Sequence, residues 1–438
     1  MVAGAIIRIG TDRTRPPGVY QDSEIYMKLA EHAPWAPYSP SRPSGYPVVL
    51  RFIDAMVAGL DAVTFVQHVA GLVLATLLYI LLLRLGVRRW LAVAAVAVIA
   101  LDSYTVALEQ DVLAETLFTL TLFGSLLLAV RAEERPARMA GSGFLLAFAV
   151  TMRTVGLFVV PVWIGWLLWT RCSRRALLAG VVALAVPIVG YASLHAAEGV
   201  GFNLVDSDGW YLYAKVGPIV DCRGASVPAE TRALCVEPPT DDPNFYLYNP
   251  GSPAWQLFFG NNPVELEVDM THERNVALRR FSRAIILANP FEYGVVVTRD
   301  FVKYFGPAPA PVELSLYGMP GGLVIHYERW LHVRWWMVTG ALAGGLAAVA
   351  VAGARHRRSA ALFLGAALAL VLGAAATAAF NIRYVVPVMP FLLAAGVPGI
   401  DERLDRLATA LWRRRPAPDL PGDDAHLVAD PVGDVVDG

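Results

Sequence analysis

The sequence predicts an all-α polytopic membrane protein, a bundle of about nine transmembrane helices with outer loops and juxtamembrane helices. Three observations predict it. The 438 residues are 56% hydrophobic and only 17% charged, against about a quarter charged in soluble domains. Apolar runs long enough to cross a bilayer recur along the chain. Arginine-rich loops then separate those runs at alternate ends, the pattern left by retention of positive charge on the cytoplasmic side. Mean hydropathy is +0.50, more apolar surface than a soluble core can hide.

The spans are expected at 64–85, 90–106, 111–130, 139–151 with 154–170 hinged at Arg153, 176–194, 335–353, 360–379 and 385–397. Gly45–Leu60 is apolar but broken by Arg51 and Asp54, and reads as a helix lying on the membrane or partly inserted. The loops at Arg84–Arg89, Arg131–Arg138, Arg171–Arg175 and Arg355–Arg358, and the segment after Arg403, alternate consistently if all are cytoplasmic. Residues 1–60 then form an outer N-terminal loop with juxtamembrane helices. Residues 61–196 and 332–400 hold the spans, 197–331 form an outer region, and 401–438 form a cytoplasmic tail, disordered beyond Arg415. In the outer region helices are expected at Thr271–Leu287 and, amphipathic with Pro290 at its start, from Asn289. An outward N-terminal segment with no preceding span is unusual, so Met1 is expected to be an internal start and VAGAIIRIG the end of a first helix.

The net charge of −1 and the lack of a polybasic tract leave no basis for nucleic-acid binding. Of the three cysteines, Cys222 and Cys235 fall in the outer region and Cys172 on the cytoplasmic side. An oxidising exterior favours a Cys222–Cys235 disulfide over two free thiols. There is no HExxH, P-loop, CxxC or nucleophile-elbow pattern, and His68 and His195 read as packed or interfacial side chains.

Charges near a bilayer are costly and mark function or headgroup contact. Asp22 and Glu24 open a short helix, where the dipole favours anions. They suit deprotonation of an acceptor hydroxyl or a hold on a divalent metal, and equally a plain helix start capped by Asp22. Asp111 and Glu115, four apart, are expected on one helix face, with Glu115 a turn inside the apolar segment. Arg51, Arg153, Arg299, Lys303 and Arg383 gather at the outer rim; their alternatives are a lipid phosphate or ordinary headgroup snorkelling.

Taken in order, these segments resemble the GT-C glycosyltransferases of the protein O-mannosyltransferase and aminoarabinose-transferase-like group. An outer acidic pair with a tyrosine (Asp22, Glu24, Tyr26) is followed by Arg42-Pro43-Ser44-Gly45-Tyr46-Pro47, similar to the family's R-P-P-G-Y-P. An acidic helix start (Asp111 or Glu115), an apolar run ending in Arg (Phe148–Arg153) and Arg383-Tyr384-Val385-Val386-Pro387 at the last span complete the series. The chain departs from the family in Ser44, where proline is usual, and in lacking the family's first helix.

The resemblance implies a GT-C-like bundle and a membrane glycosyltransferase of mannosyltransferase-like type, moving a hexosyl or pentosyl group from a polyprenyl-phosphate donor. The acceptor would be a glycan, lipid or protein of the cell envelope, reached from the outer face of a bacterial plasma membrane. Asp22 would be the catalytic carboxylate, assisted by Glu24 and by Asp111 or Glu115. Arg153, Lys303 and Arg383 would hold the lipid phosphate, and Tyr26, Arg42 and Tyr46 would lie along the substrate segment. A divalent metal on Asp22, Asp111 or Glu115 is an open option, since no ligand spacing demands one. The alternative is a carrier or flippase of lipid-linked substrates without chemistry. It is disfavoured by the absence of an internal repeat and by charges at the rim rather than the midplane.

Overall fold

The structure, a computed structural model, describes residues 1–31, 42–259, 272–307, 331–351 and 356–413. It is 78% helical, and the described residues form no strand beyond an isolated parallel bridge between Gly18 and Asp111. The tail beyond Arg413 and the stretch 308–330 of the outer region lie outside the described residues, as does the loop at 352–355.

Among the described residues four helices are long and apolar enough to cross a membrane: α4 (Leu60–Arg84), α10 (Arg174–Ala197), α17 (Arg357–Thr377) and α18 (Val385–Arg413). The expected span at 90–106 is instead two helices, α5 (Arg89–Ala100) and α6 (Ser103–Gln110), bent by 45°. Asp102 causes the break. Its carboxylate caps α6 by accepting from the Thr105 amide and hydroxyl, both at 2.7 Å, and also accepts from the Val333 amide at 2.7 Å. Counted as one span, this pair gives five. The remaining expected spans correspond to shorter apolar helices, α7 (Glu115–Ala129), α8 (Pro136–Met152), a 3-10 turn (Thr154–Phe158) leading into α9 (Val159–Trp169), and α16 (Trp335–Ala350). Helix length therefore supports four or five spans and does not establish about nine.

α18 is the centre of the bundle and α10 its edge: 89% of the apolar window is buried in the first and 17% in the second. The core runs through Leu78, Phe123, Leu146, Phe363 and Phe391, with Phe123 stacked on Phe363 and Phe391 at centroid separations of 5.2 and 5.7 Å. Two close helix crossings depend on glycine. A Cβ at Gly143 would strike the Gly180 backbone between α8 and α10, and one at Gly396 would strike Ala341 between α18 and α16.

Ahead of these lie α1 (Val2–Thr14), α2 (Gln21–Glu31) and α3 (Gly45–Met56). VAGAIIRIG is helical, within α1. α3 buries Tyr46, Leu50 and Ile53 and exposes Phe52 and Met56, the split expected of a helix at an apolar surface. Arg51, read as a rim cation, instead donates to the Ala30 and Glu31 carbonyls at 3.1 and 3.2 Å, closing the end of α2.

The described residues of 200–259 and 272–303 build a second core from α11 (Asp208–Val216), α12 (Pro243–Tyr248), α13 (Pro253–Phe259), α14 (His272–Ala288) and α15 (Pro290–Lys303). Trp210, Tyr213, Tyr246, Leu257, Phe281 and Ile285 fill it. Cys222 and Cys235 are joined by a disulfide with Cα atoms 5.8 Å apart. A buried Lys215–Asp300 pair at 2.5 Å ties α11 to α15.

Candidate active site

α2 turns one face to the bundle. Asp22 and Tyr26, four apart, share that face; Tyr26 is buried, while Glu24, two residues along, is exposed. The Asp22 carboxylate is bonded by Arg42 and by Arg383 Nη2, the latter at 2.8 Å. Arg383, in the short turn before α18, also brings its Nε to 3.6 Å from Glu115 Oε1. Glu115, in the first turn of α7, forms an ion pair with Arg153, at the break between α8 and the 3-10 turn. A single guanidinium therefore separates Asp22 from Glu115, and sequence positions 361 residues apart meet at one point.

Aromatic rings hold the cations in place. Arg153 and Arg383 lie 5.3 and 5.5 Å from the centroid of Tyr384, and Arg42 lies 5.7 Å from that of Tyr211. Tyr26 meets Tyr46 edge-on at 5.0 Å, and the Tyr46 hydroxyl donates to Gln67 at 3.0 Å. Burial alone would raise the Asp22 pKa, but the charges and hydrogen bonds of Arg42 and Arg383 outweigh it and hold the carboxyl well below its ordinary range. Burial pushes the Tyr26 hydroxyl far up, so it stays protonated.

Asp22, Tyr26, Arg42, Arg153 and Arg383 line one cavity of about 460 Å³. Glu115 stands behind Arg153 and Arg383, 2% exposed. Asp111 does not share a helix face with Glu115 as expected. It is extended, at φ −88° and ψ 141°, because its strand-like pairing with Gly18 ends α6 before α7 begins. Its carboxylate accepts from the Tyr20 hydroxyl at 3.1 Å, and burial pushes its pKa up to about 7. Lys303 lies away from the cavity lining and pairs with Asp300 at 3.0 Å. Arg299 pairs with Asp241 at 2.9 Å.

The motifs did not single out Tyr211, Arg279 and Arg283, which also line the cavity. Arg279 is 3.2 Å from Asp208. The four-residue spacing of these two arginines on α14 is the signal that could have found them. Among the described residues no three His, Cys, Asp or Glu side chains converge as metal ligands. Both Asp22 oxygens face guanidinium groups, so this donor set does not fit a divalent cation.

The fold and the site define a helical membrane protein with a cation-rich cavity walled by its own carboxylates. Residues 25–204 match the family model described as dolichyl-phosphate-mannose-protein mannosyltransferase, and this supports the GT-C glycosyltransferase resemblance drawn from the motifs. No curated protein matches the chain significantly. Two solved structures are similar to it, ArnT from Cupriavidus metallidurans in the apo state and bound to undecaprenyl phosphate. Each is 13% identical with a TM-score of 0.37, covering 90% and 96% of this chain and 76% and 80% of theirs.

Proposed function

We propose that the chain transfers a glycosyl group from a polyprenyl-phosphate sugar to an acceptor hydroxyl at the outer face of a bacterial plasma membrane. One observation carries the reading. Three guanidiniums, Arg42, Arg153 and Arg383, face two carboxylates, Asp22 and Glu115, at the wall of a cavity that Arg279, Arg283 and Asp208 also line beside apolar Phe118, Leu157, Phe158, Leu370 and Val388. These five arginines outnumber the three carboxylates by two, a positive excess that suits the negative charge of a glycosyl phosphodiester, and the apolar part of the wall suits the prenyl chain beside it. The matched family's description names a donor of the same chemical class.

In the proposed reaction the acceptor oxygen forms a bond to the anomeric carbon as that carbon's bond to the phosphate oxygen breaks. The bonding pair leaves with the phosphate, whose growing charge is met by Arg153 and Arg383. The acceptor proton passes to Asp22, which is ionised at neutral pH and accepts a hydrogen bond from the hydroxyl beforehand. Glu115 holds the two arginines in place until the phosphate arrives. The acceptor is a glycan, lipid or protein.

The test is transfer of radiolabelled sugar from polyprenyl-phosphate sugars in membranes containing the native chain or Asp22→Asn. Native transfer that drops by about 10²–10⁴-fold in the variant is the expected result. Undiminished transfer by Asp22→Asn overturns the role of Asp22. Absence of native transfer, together with movement of the lipid-linked sugar across proteoliposomes, favours a carrier.

A further inference from the structure

Ser44 stands where the family's R-P-P-G-Y-P segment has its second proline, and the structure gives this serine a specific partner. The Ser44 amide donates to the Tyr191 hydroxyl oxygen at 3.0 Å, and the Tyr191 hydroxyl donates to Ser44 Oγ at 3.2 Å. A proline at this position would supply neither the N–H nor the hydroxyl. Tyr191 belongs to α10, the exposed edge of the bundle, and its ring packs at a 43° tilt against buried His195 with centroids 4.7 Å apart. His195 Nδ1 lies 3.0 Å from Asn203 Oδ1, and Asn203 lines the cavity.

On the other side of the anchor, Ser44 is two residues from Arg42, which bonds Asp22. Pro43 lies between them. Its ring fixes its own φ, and the residue before a proline is confined to extended conformations. A fixed Ser44 therefore leaves the Arg42 backbone little freedom. Immediately after Ser44, Gly45 lies so close to the Thr151–Met152 backbone that a Cβ would not fit, which clamps the segment from the other end.

We infer that Tyr191 is a positioning residue of the site. By gripping Ser44 through both amide and hydroxyl, it sets the register in which Arg42 reaches Asp22. The effect on transfer rests on the glycosyltransferase reading; the anchor itself does not.

Two measurements on the full chain in lipid nanodiscs test it. The first is hydrogen exchange in the segment 42–48. Exchange is expected to quicken in Tyr191→Phe while the segments of α17 and α18 keep their native protection. Unchanged exchange at Ser44 overturns the anchor. The second is steady-state transfer in Tyr191→Phe, Ser44→Pro and Ser44→Ala, alone and in an Arg42→Lys background. Tyr191→Phe and Ser44→Pro are each expected to lower kcat by about tenfold with donor KM nearly unchanged, the scale of one lost hydrogen bond and a misplaced group. Ser44→Ala keeps the amide bond and loses less. In the Arg42→Lys background the Tyr191→Phe loss is expected to disappear, because the group it positions has already been changed. A full tenfold additional loss there would show that Tyr191 acts on general stability and would overturn the positioning role. If the native protein transfers nothing, the glycosyltransferase reading falls, and the exchange experiment still decides the anchor.

Discussion

Among the described residues two arginine–carboxylate clusters lie inside the protein, the first fully buried and the second half-buried, and they are built differently. In the first, Arg8 of α1 meets Glu109 through Nε at 2.6 Å and Nη2 at 2.7 Å. Its Nη1 donates to the Ala100 carbonyl at 2.7 Å, and His68 Nδ1 completes Glu109 at 2.8 Å. Every charged nitrogen and oxygen there is matched. In the second, around Asp22, Glu115 Oε1 is ion-paired with Arg153 but Arg383 Nε, 3.6 Å from it, is buried without a hydrogen bond among the described residues, and the cluster opens on a cavity. A closed pair in an apolar interior is structural, and breaking it strands a charge. An open one keeps unspent hydrogen-bonding capacity beside space for a ligand. That difference, together with the greater exposure of the second cluster, separates the anchor of α1 from the candidate site.

The comparison can be broken by mutation. Arg8→Ala or Glu109→Gln should lower stability by about 3–5 kcal/mol, the cost of leaving half of a buried pair. Thermal unfolding in detergent measures this, and the surviving folded protein should transfer at a near-native rate. Arg383→Lys should do the reverse. Its melting temperature should stay close to native, while transfer falls by about 10–100-fold, because an ammonium cannot serve Asp22, Glu115 and a phosphate in one plane.

Asp111 adds a third buried carboxyl beside the first cluster, on a segment where Gln67 donates to the Glu109 and Asp111 carbonyls at 2.9 and 2.7 Å. Its folded pKa of about 7 lies above its ordinary value of 3.8, so the folded state holds the proton longer than the unfolded chain does. Stability from this group is full below pH ~4 and is lost as pH rises towards 7. Asp111→Asn should flatten the melting temperature across that window; an unchanged pH profile would reject the assignment. The smallest effect is expected at Lys303. As one half of a partly exposed pair it should leave transfer within about twofold when changed to alanine.

Much of this site was legible because motif order survives folding. Asp22, Arg42, Arg153 and Arg383 were read from separate segments and lie on one cavity. The failures have local causes. Glu24 was paired with Asp22 by proximity in sequence, yet residues two apart on a helix point to different faces, and Glu24 is exposed. Asp111 and Glu115 were placed on one helix by hydropathy, which does not register the pairing of Gly18 with Asp111 that stops α6. Likewise, the apolar run at 90–106 hid the bend at Asp102, whose cap depends on Val333 far along the chain. Lys303 was grouped with the rim cations because nothing in its own segment announces Lys215, the other partner of Asp300. The four-residue spacing of Arg279 and Arg283 marks one face of α14, but only the tertiary fold lays that face against the cavity.

The sharing of Arg383 between Asp22 and Glu115 has a consequence for biosynthesis. Glu115 and Arg153 lie on neighbouring segments and can neutralise each other as soon as α7 and α8 have entered the membrane. Asp22 and Arg42 emerge from the ribosome earlier still. Arg383 is made hundreds of residues later, just ahead of α18, and until it docks the two earlier pairs have nothing to join them. A nascent chain stalled before this arginine would carry a ready-made scaffold and no finished site, so the site is completed only once Arg383 has been made and has docked.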